Sequence, residues 1–228
     1  MDLVEGMTLT KLVVIPVCNF WDLIPSIITF YRRHLDEAKI LIVNDCRRKS
    51  VDVSMWKNVE VVKSSYNKGL KGSLQTAYDY DIANVGSDVM IINEHDVIVN
   101  EITLYASLHL FENPVFSDFA SVSPVYMHDK KMCYPSHPNW YKDKPQVSRA
   151  DIGRIAKVMS QGVPFGFSLW RPNVFKDVVS KKFPNTWKLD YKFGKYVYEE
   201  LGLCHMRMLD YYVEHFNEGV NSWKKRKE

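Results

Sequence analysis

Apolar runs and amphipathic stretches alternate along the first half of the chain. Lys11–Val17, Lys39–Asn44, Val59–Lys63, Asp88–Asn93 and Phe119–Val125 are short and rich in Val, Ile, Leu and Met, as strands are. Several are apolar at consecutive positions rather than alternate ones, which suits strands covered on both faces. Between them, residues 21–34, 70–83 and 101–111 place apolar side chains at helical spacing, as Leu23, Ile27, Phe30 and Tyr31 do. Strands separated by helical segments of this length predict right-handed crossovers and a mostly parallel sheet. The expected class is α/β, a mostly parallel central sheet flanked by helices.

The pattern changes after Val125. Residues 126–150 carry Tyr126, Tyr134, His137, Trp140 and Tyr141 among Pro135, Pro138 and Pro145, with no clear period. A stretch this long without periodicity is usually functional or disordered, and its aromatic content argues against simple disorder. An amphipathic segment (152–159), a Gly- and Phe-rich run (162–170) and two expected helices, near 173–180 and 191–201, follow. A last apolar segment, 204–213, ends at Glu214-His215. With no repeat and no flexible linker, residues 1–228 are expected to form one domain, with halves at about 11–125 and 126–220.

Composition narrows the class. Hydrophobic residues make up 46% of the 228 and charged residues 25%, ordinary for a soluble enzyme. A net charge of +3 is too small to imply nucleic acid. The basic tail, 221–228, suits either a solvated end or weak contact with an anionic surface. The four cysteines, Cys18, Cys46, Cys133 and Cys204, lack zinc and disulfide-framework spacing, which favours reduced thiols and a cytoplasmic location. No signal peptide is expected before Lys11, and no apolar run approaches the ~18 residues that span a bilayer.

The candidate chemistry lies at strand ends. Glu94 and Asp96 follow the run Val89–Asn93, where open parallel sheets bind ligands. If the strand continued, alternation would point both carboxylates the same way. Two hard oxygen ligands with room for water and phosphate suit magnesium or manganese. Alone, so short a pattern favours a solvated acidic loop after a strand. Further features fall on the same edge. The first strand ends Pro16-Val-Cys-Asn19 and turns into a helix, a site for phosphate. The second ends at Asp45, whose carboxylate can accept hydrogen bonds from a base or ribose. Asn67-Lys68-Gly69-Leu-Lys71-Gly72 opens a helix with close backbone approach and positive charge, without the Walker ending.

In that order, Val13-Val-Ile-Pro-Val-Cys-Asn19, Ile42-Val-Asn-Asp45, Asn67-Lys-Gly69 and Glu94-His-Asp96 resemble the nucleotide-binding half of GT-A glycosyltransferases, particularly family 2. Phe165–Val178 resembles the acceptor-side strand and helix, Leu189-Asp190 falls where the family carries its Glu-Asp pair, and Val213-Glu-His215 resembles its late histidine. The resemblance implies a Rossmann-like nucleotide-binding half fused to an acceptor-binding half. It also implies metal-dependent glycosyl transfer from a nucleoside diphosphate sugar to a glycan, lipid-linked, protein or modified-base acceptor. Asp96 would be the principal metal ligand and His215 would complete the metal or diphosphate contacts. Glu94 stands where many members have Asp. Asp45 would meet the base, Asn19 would lie beside the nucleotide, and Lys68 or Lys71 would support the leaving group. Asp190 would be the general base of an inverting reaction, and residues 126–150 part of the acceptor site or a lid. A nucleotidyltransferase of related fold fits less well, because the first strand lacks a Gly-rich basic loop. A non-catalytic nucleotide-sugar-binding module is the third reading, kept open by Leu189 and Glu94.

Overall fold

The computed structural model of the chain describes residues 9–18, 21–45, 52–66, 69–128, 131–134, 146–158, 164–181, 183 and 189–215. One mixed sheet of eleven strands runs through it. The strands are β1 (Lys11–Val17), β2 (Lys39–Asn44), β3 (Val59–Lys63), β4 (Val89–Asn93), β5 (Val97–Ile98), β6 (Phe119–His128), β7 (Lys131–Tyr134), β8 (Gln146–Ala150), β9 (Gly153–Val158), β10 (Phe167–Trp170) and β11 (Cys204–His215). Their order is β3-β2-β1-β4-β10-β6-β11-β9-β8, with β5 on β11 and β7 on β6. The block β3-β2-β1-β4 is parallel, as the strand–helix alternation predicts, and β6 and β11 are parallel to each other. β10 enters between β4 and β6 in the opposite direction.

Side-chain alternation sorts the central strands into two apolar layers. Val13, Ile15, Ile40, Ile42 and Ile91 face α1 (Ile24–His34) and α3 (Glu101–Glu112), packing with Ile28, Tyr31, Leu104 and Leu108. Leu12, Val14, Leu41, Val43, Met90 and Ile92 face α2 (Gly69–Asn84) and α4 (Leu189–Glu199), packing with Leu74, Ala77, Phe193 and Val197. Both faces are therefore dry, which is why these strands read as continuous apolar runs. Asn100 caps α3 by accepting from the Thr103 N–H at 2.8 Å.

Two elements depart from the sequence expectation. The segment near 173–180 is a single 3₁₀ turn, Pro172–Phe175, followed by further turns. Its apolar residues Val174, Phe175 and Val178 are buried without a long helix, so their spacing reflects packing onto Trp170 and Phe193. The aperiodic stretch supplies the end of β6 together with β7 and β8, and the amphipathic segment after it is β9. β8 and β9 form a hairpin around Gly153, whose φ of 138° is open only to glycine. Residues 135–145 lie outside the described residues. No helix among the described residues is long and apolar enough to cross a membrane.

Candidate active site

The parallel register brings several strand ends to one edge. β1 pairs with β2 through Pro16 and Val43, and with β4 through Val14 and Ile92, so Val17, Asn44 and Asn93 all approach the same rim. Asp45 continues β2, its N–H donating to Val17 O at 2.9 Å. It is half-buried, and that burial raises its carboxyl pKa. The ring nitrogen Nδ1 of His95 donates to Pro16 O at 3.1 Å, tying the end of β1 to the acidic segment.

Glu94–Val97 is a tight turn, the Val97 N–H donating to Glu94 O at 3.1 Å. The expected two-residue alternation therefore stops at Asn93, and the relation between Glu94 and Asp96 is set by the turn. Asn93 builds it. This fully buried side chain donates to Glu94 O at 2.8 Å and Val97 O at 3.0 Å, and accepts from the Tyr31 hydroxyl at 2.8 Å. The Glu94 N–H donates to Gly166 O at 2.7 Å, joining β10's approach to the same turn. In the sequence Asn93 is only a polar residue ending an apolar run, and Tyr31 one apolar position on a helix.

The carboxylates are electrostatically linked. Burial, then the Asp96 charge and Asp190, push Glu94 up to about 8, against the opposing pull of His215. Asp96 behaves oppositely. Burial works against its charge, but the hydrogen bond and charge of His215, with help from His95, hold its pKa below the ordinary range. His215 Nε2 lies 3.4 Å from Asp96 Oδ2. Burial disfavours the imidazolium, yet Asp96 and Glu94 raise its pKa. The strand β5 makes this encounter: His215 pairs with Val97 across β5 and β11, so residues more than a hundred positions apart meet.

Asp190 opens α4, its Oδ1 accepting from the Tyr191 N–H at 2.8 Å. Burial raises its pKa to about 6, while that hydrogen bond and the charge of Arg207 oppose the rise. Tyr126, 3% exposed, has its ring 6.3 Å from that of His215 and donates to Phe167 O at 2.8 Å. A Cβ added at Gly166 would sit 2.7 Å from the Tyr126 ring and 3.1 Å from Val97. The ring is pinned by its own hydrogen bonds, so Gly166→Ala is expected to cost about 1–3 kcal/mol, read by urea unfolding.

The other candidates are placed as follows. Asn19, Asn67 and Lys68 lie outside the described residues, as does the basic tail. Gly69 begins α2 at φ 57°, a left-handed conformation suited to a glycine. Lys71 is buried, and its ammonium donates to Lys181 O at 2.8 Å and Phe183 O at 3.4 Å. That charge joins α2 to the segment before α4. Leu189, in place of a Glu, is 2% exposed and packs in the core. Cys18, just after β1, is part-buried and Cys204, which opens β11, is buried; neither forms a disulfide among the described residues.

Among the described residues, no group of three or more His, Cys, Asp or Glu side chains is arranged to enclose a metal ion. One acceptor is nonetheless poised for a cation. Asp96 Oδ1 is buried and has no hydrogen-bond partner among the described residues. An orphaned carboxylate oxygen beside a second carboxyl group suits a hard ion that takes one or two protein oxygens and completes its shell from water and substrate phosphates. It does not suit a closed cage.

No family model and no curated protein matches the sequence. Solved structures do match. Glucosyl-3-phosphoglycerate synthase from Mycobacterium tuberculosis in complex with phosphoglyceric acid superposes at a TM-score of 0.60 and 12% identity, over 94% of this chain and 75% of that one. The complex of the same enzyme with Mn2+, uridine diphosphate and glucosyl-3-phosphoglycerate gives 0.58 and 13%, over 95% and 75%. A structure described only as a mycobacterial protein gives 0.59 and 14%, over 94% and 69%. At such identities the likeness establishes architecture: the chain has the α/β GT-A fold.

Proposed function

We propose that the chain is a metal-dependent, inverting glycosyltransferase that moves a sugar from a nucleoside diphosphate sugar to an acceptor hydroxyl. The observation that carries this reading is the meeting of Glu94, Asp96 and His215 at the carboxyl end of β4. Asp190 is electrostatically linked to them, and the fold is shared with Mn2+- and uridine diphosphate-bound enzymes. In this reading residues 11–125 hold the donor and 126–220 the acceptor. The cysteine spacing favours work in the cytoplasm.

Asp96, seconded by Glu94 and His215, would hold a manganese or magnesium ion. When bound, the ion supplies a Lewis acid that neutralises charge developing on the departing diphosphate. Asp45, at the rim beside β1, is proposed to accept hydrogen bonds from the base or ribose. Pro16, with Asn19 beyond it, and Asn67, Lys68 and Gly69 are proposed to line the nucleotide side. Lys71 contributes there by bracing α2. Asp190 is proposed to take the proton of the acceptor hydroxyl as its oxygen attacks the anomeric carbon. One base and in-line attack invert that centre.

A base must be unprotonated, so the proposed role gives a signed prediction. With Asp190 near 6, kcat/KM is expected to fall about tenfold per pH unit below that value and level off above it. A pH–rate profile checks this. The broader test is incubation with a panel of nucleotide sugars and hydroxyl acceptors in Mn2+, with product anomeric configuration read by NMR. Release of pyrophosphate from a nucleoside triphosphate and a sugar phosphate would instead favour a nucleotidyltransferase.

His205 gives an independent prediction about stability. It is fully buried, with Nδ1 2.7 Å from Ser121 Oγ and Nε2 3.2 Å from Gly194 O. Burial, seconded by the Arg207 charge, lowers its pKa from 6.5 to about 4, although the bond to Gly194 opposes this. Between those values the unfolded chain binds a proton that the folded chain refuses. Stability is therefore lost as pH falls through the window and is unaffected above it. Urea unfolding at pH 6.5 and 4.5 is expected to show about 2 kcal/mol more loss in the wild type than in His205→Gln.

A further inference from the structure

We infer that Arg207 is a positioning residue for the proposed base, holding the Asp190 carboxylate in place from the middle of β11; this rests on the assignment of Asp190 above. The geometry is that of a strand running back along the helix before it. The turn between α4 and β11 is closed by the Leu203 N–H, which donates to Val197 O at 3.2 Å, and within β11 the His205 ring meets the helix, Nε2 lying 3.2 Å from Gly194 O. Arg207 lies two residues further along the strand, about 6.6 Å, and Asp190 four residues back along the helix, one turn or about 6 Å. Both therefore lie beyond the His205–Gly194 contact, on the side of the first turn of α4. The strand is regular here. His205 to Met208 pair without a break with Ser121 to Pro124 on β6 and with Val158 to Ile155 on β9. Arg207 therefore projects from the same face as His205.

Arg207 is 3% exposed, and its Nη1 donates to Pro124 O at 3.1 Å, which anchors the guanidinium to the neighbouring strand β6. Its charge acts on Asp190, Tyr126 and His205. A guanidinium stays protonated at every working pH and presents a rigid fork of donors. Set beside a half-buried carboxylate, it favours both ionisation and a single orientation, the two properties a general base needs. The like charge also helps to keep His205 neutral. A buried arginine inside an apolar strand is costly unless its charge is used, and its action on Asp190 gives that charge a use.

Two double-variant cycles test this, built on Arg207→Met, Asp190→Asn and the combination. In turnover, Arg207→Met is expected to lower kcat by about 10- to 100-fold with donor KM within about twofold, and the double variant to be no slower than Asp190→Asn alone. In urea unfolding, the effects on the unfolding constant should depart from multiplicative by at least about fivefold. Arg207→Lys, which retains the charge, should recover part of kcat, and it replaces Arg207→Met in both cycles if the latter does not fold. Multiplicative effects in both cycles, or wild-type kcat in Arg207→Met, would overturn the role of Arg207. Full turnover in Asp190→Asn would overturn the base assignment itself, while the unfolding cycle still decides whether the two residues are coupled.

Discussion

Replacing Asp96 with Asn is expected to remove Mn2+-dependent nucleotide binding and to lower transfer by at least about a thousandfold. The variant keeps the shape of the side chain and changes only its charge and one set of lone pairs. A metal's stabilisation of a departing diphosphate is worth several kcal/mol, and ~4 kcal/mol corresponds to about three decades in rate. The fold should survive, because two effects oppose each other. The contact with His215 at 3.4 Å weakens, but the carboxylate that pushes Glu94 upward is gone. Isothermal titration of Mn2+ with uridine diphosphate, alongside thermal unfolding, separates loss of the ion from loss of the fold. Unchanged metal affinity in a folded Asp96→Asn protein would remove Asp96 from the site.

Asp190→Asn is expected to lower kcat by about 10²- to 10⁴-fold, the usual contribution of a general base, while leaving donor and Mn2+ affinity intact. The asparagine oxygen can still accept the Tyr191 N–H that Asp190 accepts at 2.8 Å, so the start of α4 is preserved. What disappears is the capacity to take a proton. Asp190 is not among the groups proposed to hold the ion, so metal binding should hold steady, in contrast to Asp96→Asn. Steady-state rates with saturating donor and a varied acceptor, set beside calorimetry of the donor, read both. Equal loss of kcat and donor affinity would assign Asp190 to binding rather than to proton transfer.

The central sheet was legible because its strands are buried on both faces and its crossovers are helices of ordinary length. Val13-Val-Ile15 and Ile40-Leu-Ile-Val43 carry that information locally. The second half was harder, since its strands pair across long separations: β10 lies between β4 and β6, and β11 reaches back to β5. No periodicity in Phe167–Trp170 reveals antiparallel insertion. The helix expected near 173–180 failed for a related reason, as the spacing of Val174, Phe175 and Val178 records burial against Trp170 and Phe193 rather than a helical backbone.

The site divides in the same way. Glu94 and Asp96 were visible as carboxylates at a strand end, and the chain order of motifs pointed to Asp45, Asp190 and His215. The groups that shape the acidic turn were not visible. Asn93 reads as the last polar residue of a strand, Tyr31 as one apolar position on a helix, and Gly166 as one of two glycines in an aromatic run. Their importance lies in contacts between elements: Tyr31 with Asn93, and Gly166 against Tyr126. Arg207 was hidden in the last apolar segment, 204–213, where nothing in the pattern sets it apart. Lys71 is the reverse case. It looks like a phosphate ligand in sequence, yet its ammonium reaches carbonyls more than a hundred residues away.

The most direct test of the metal-bridged donor site is a thermal-shift titration with UDP-, GDP- and dTDP-sugars, in Mn2+ and in chelator, on the wild type and on Asp96→Asn. A ligand at about a hundred times its Kd adds about 2.7 kcal/mol to the native state, or roughly 5–10 °C for a domain of this size. At least one nucleotide sugar is expected to raise Tm by that amount in the wild type with Mn2+, and neither in chelator nor in Asp96→Asn. A shift of the same size in chelator, or in Asp96→Asn, or no shift with any nucleotide, would contradict a cation held by Asp96 against a nucleoside diphosphate.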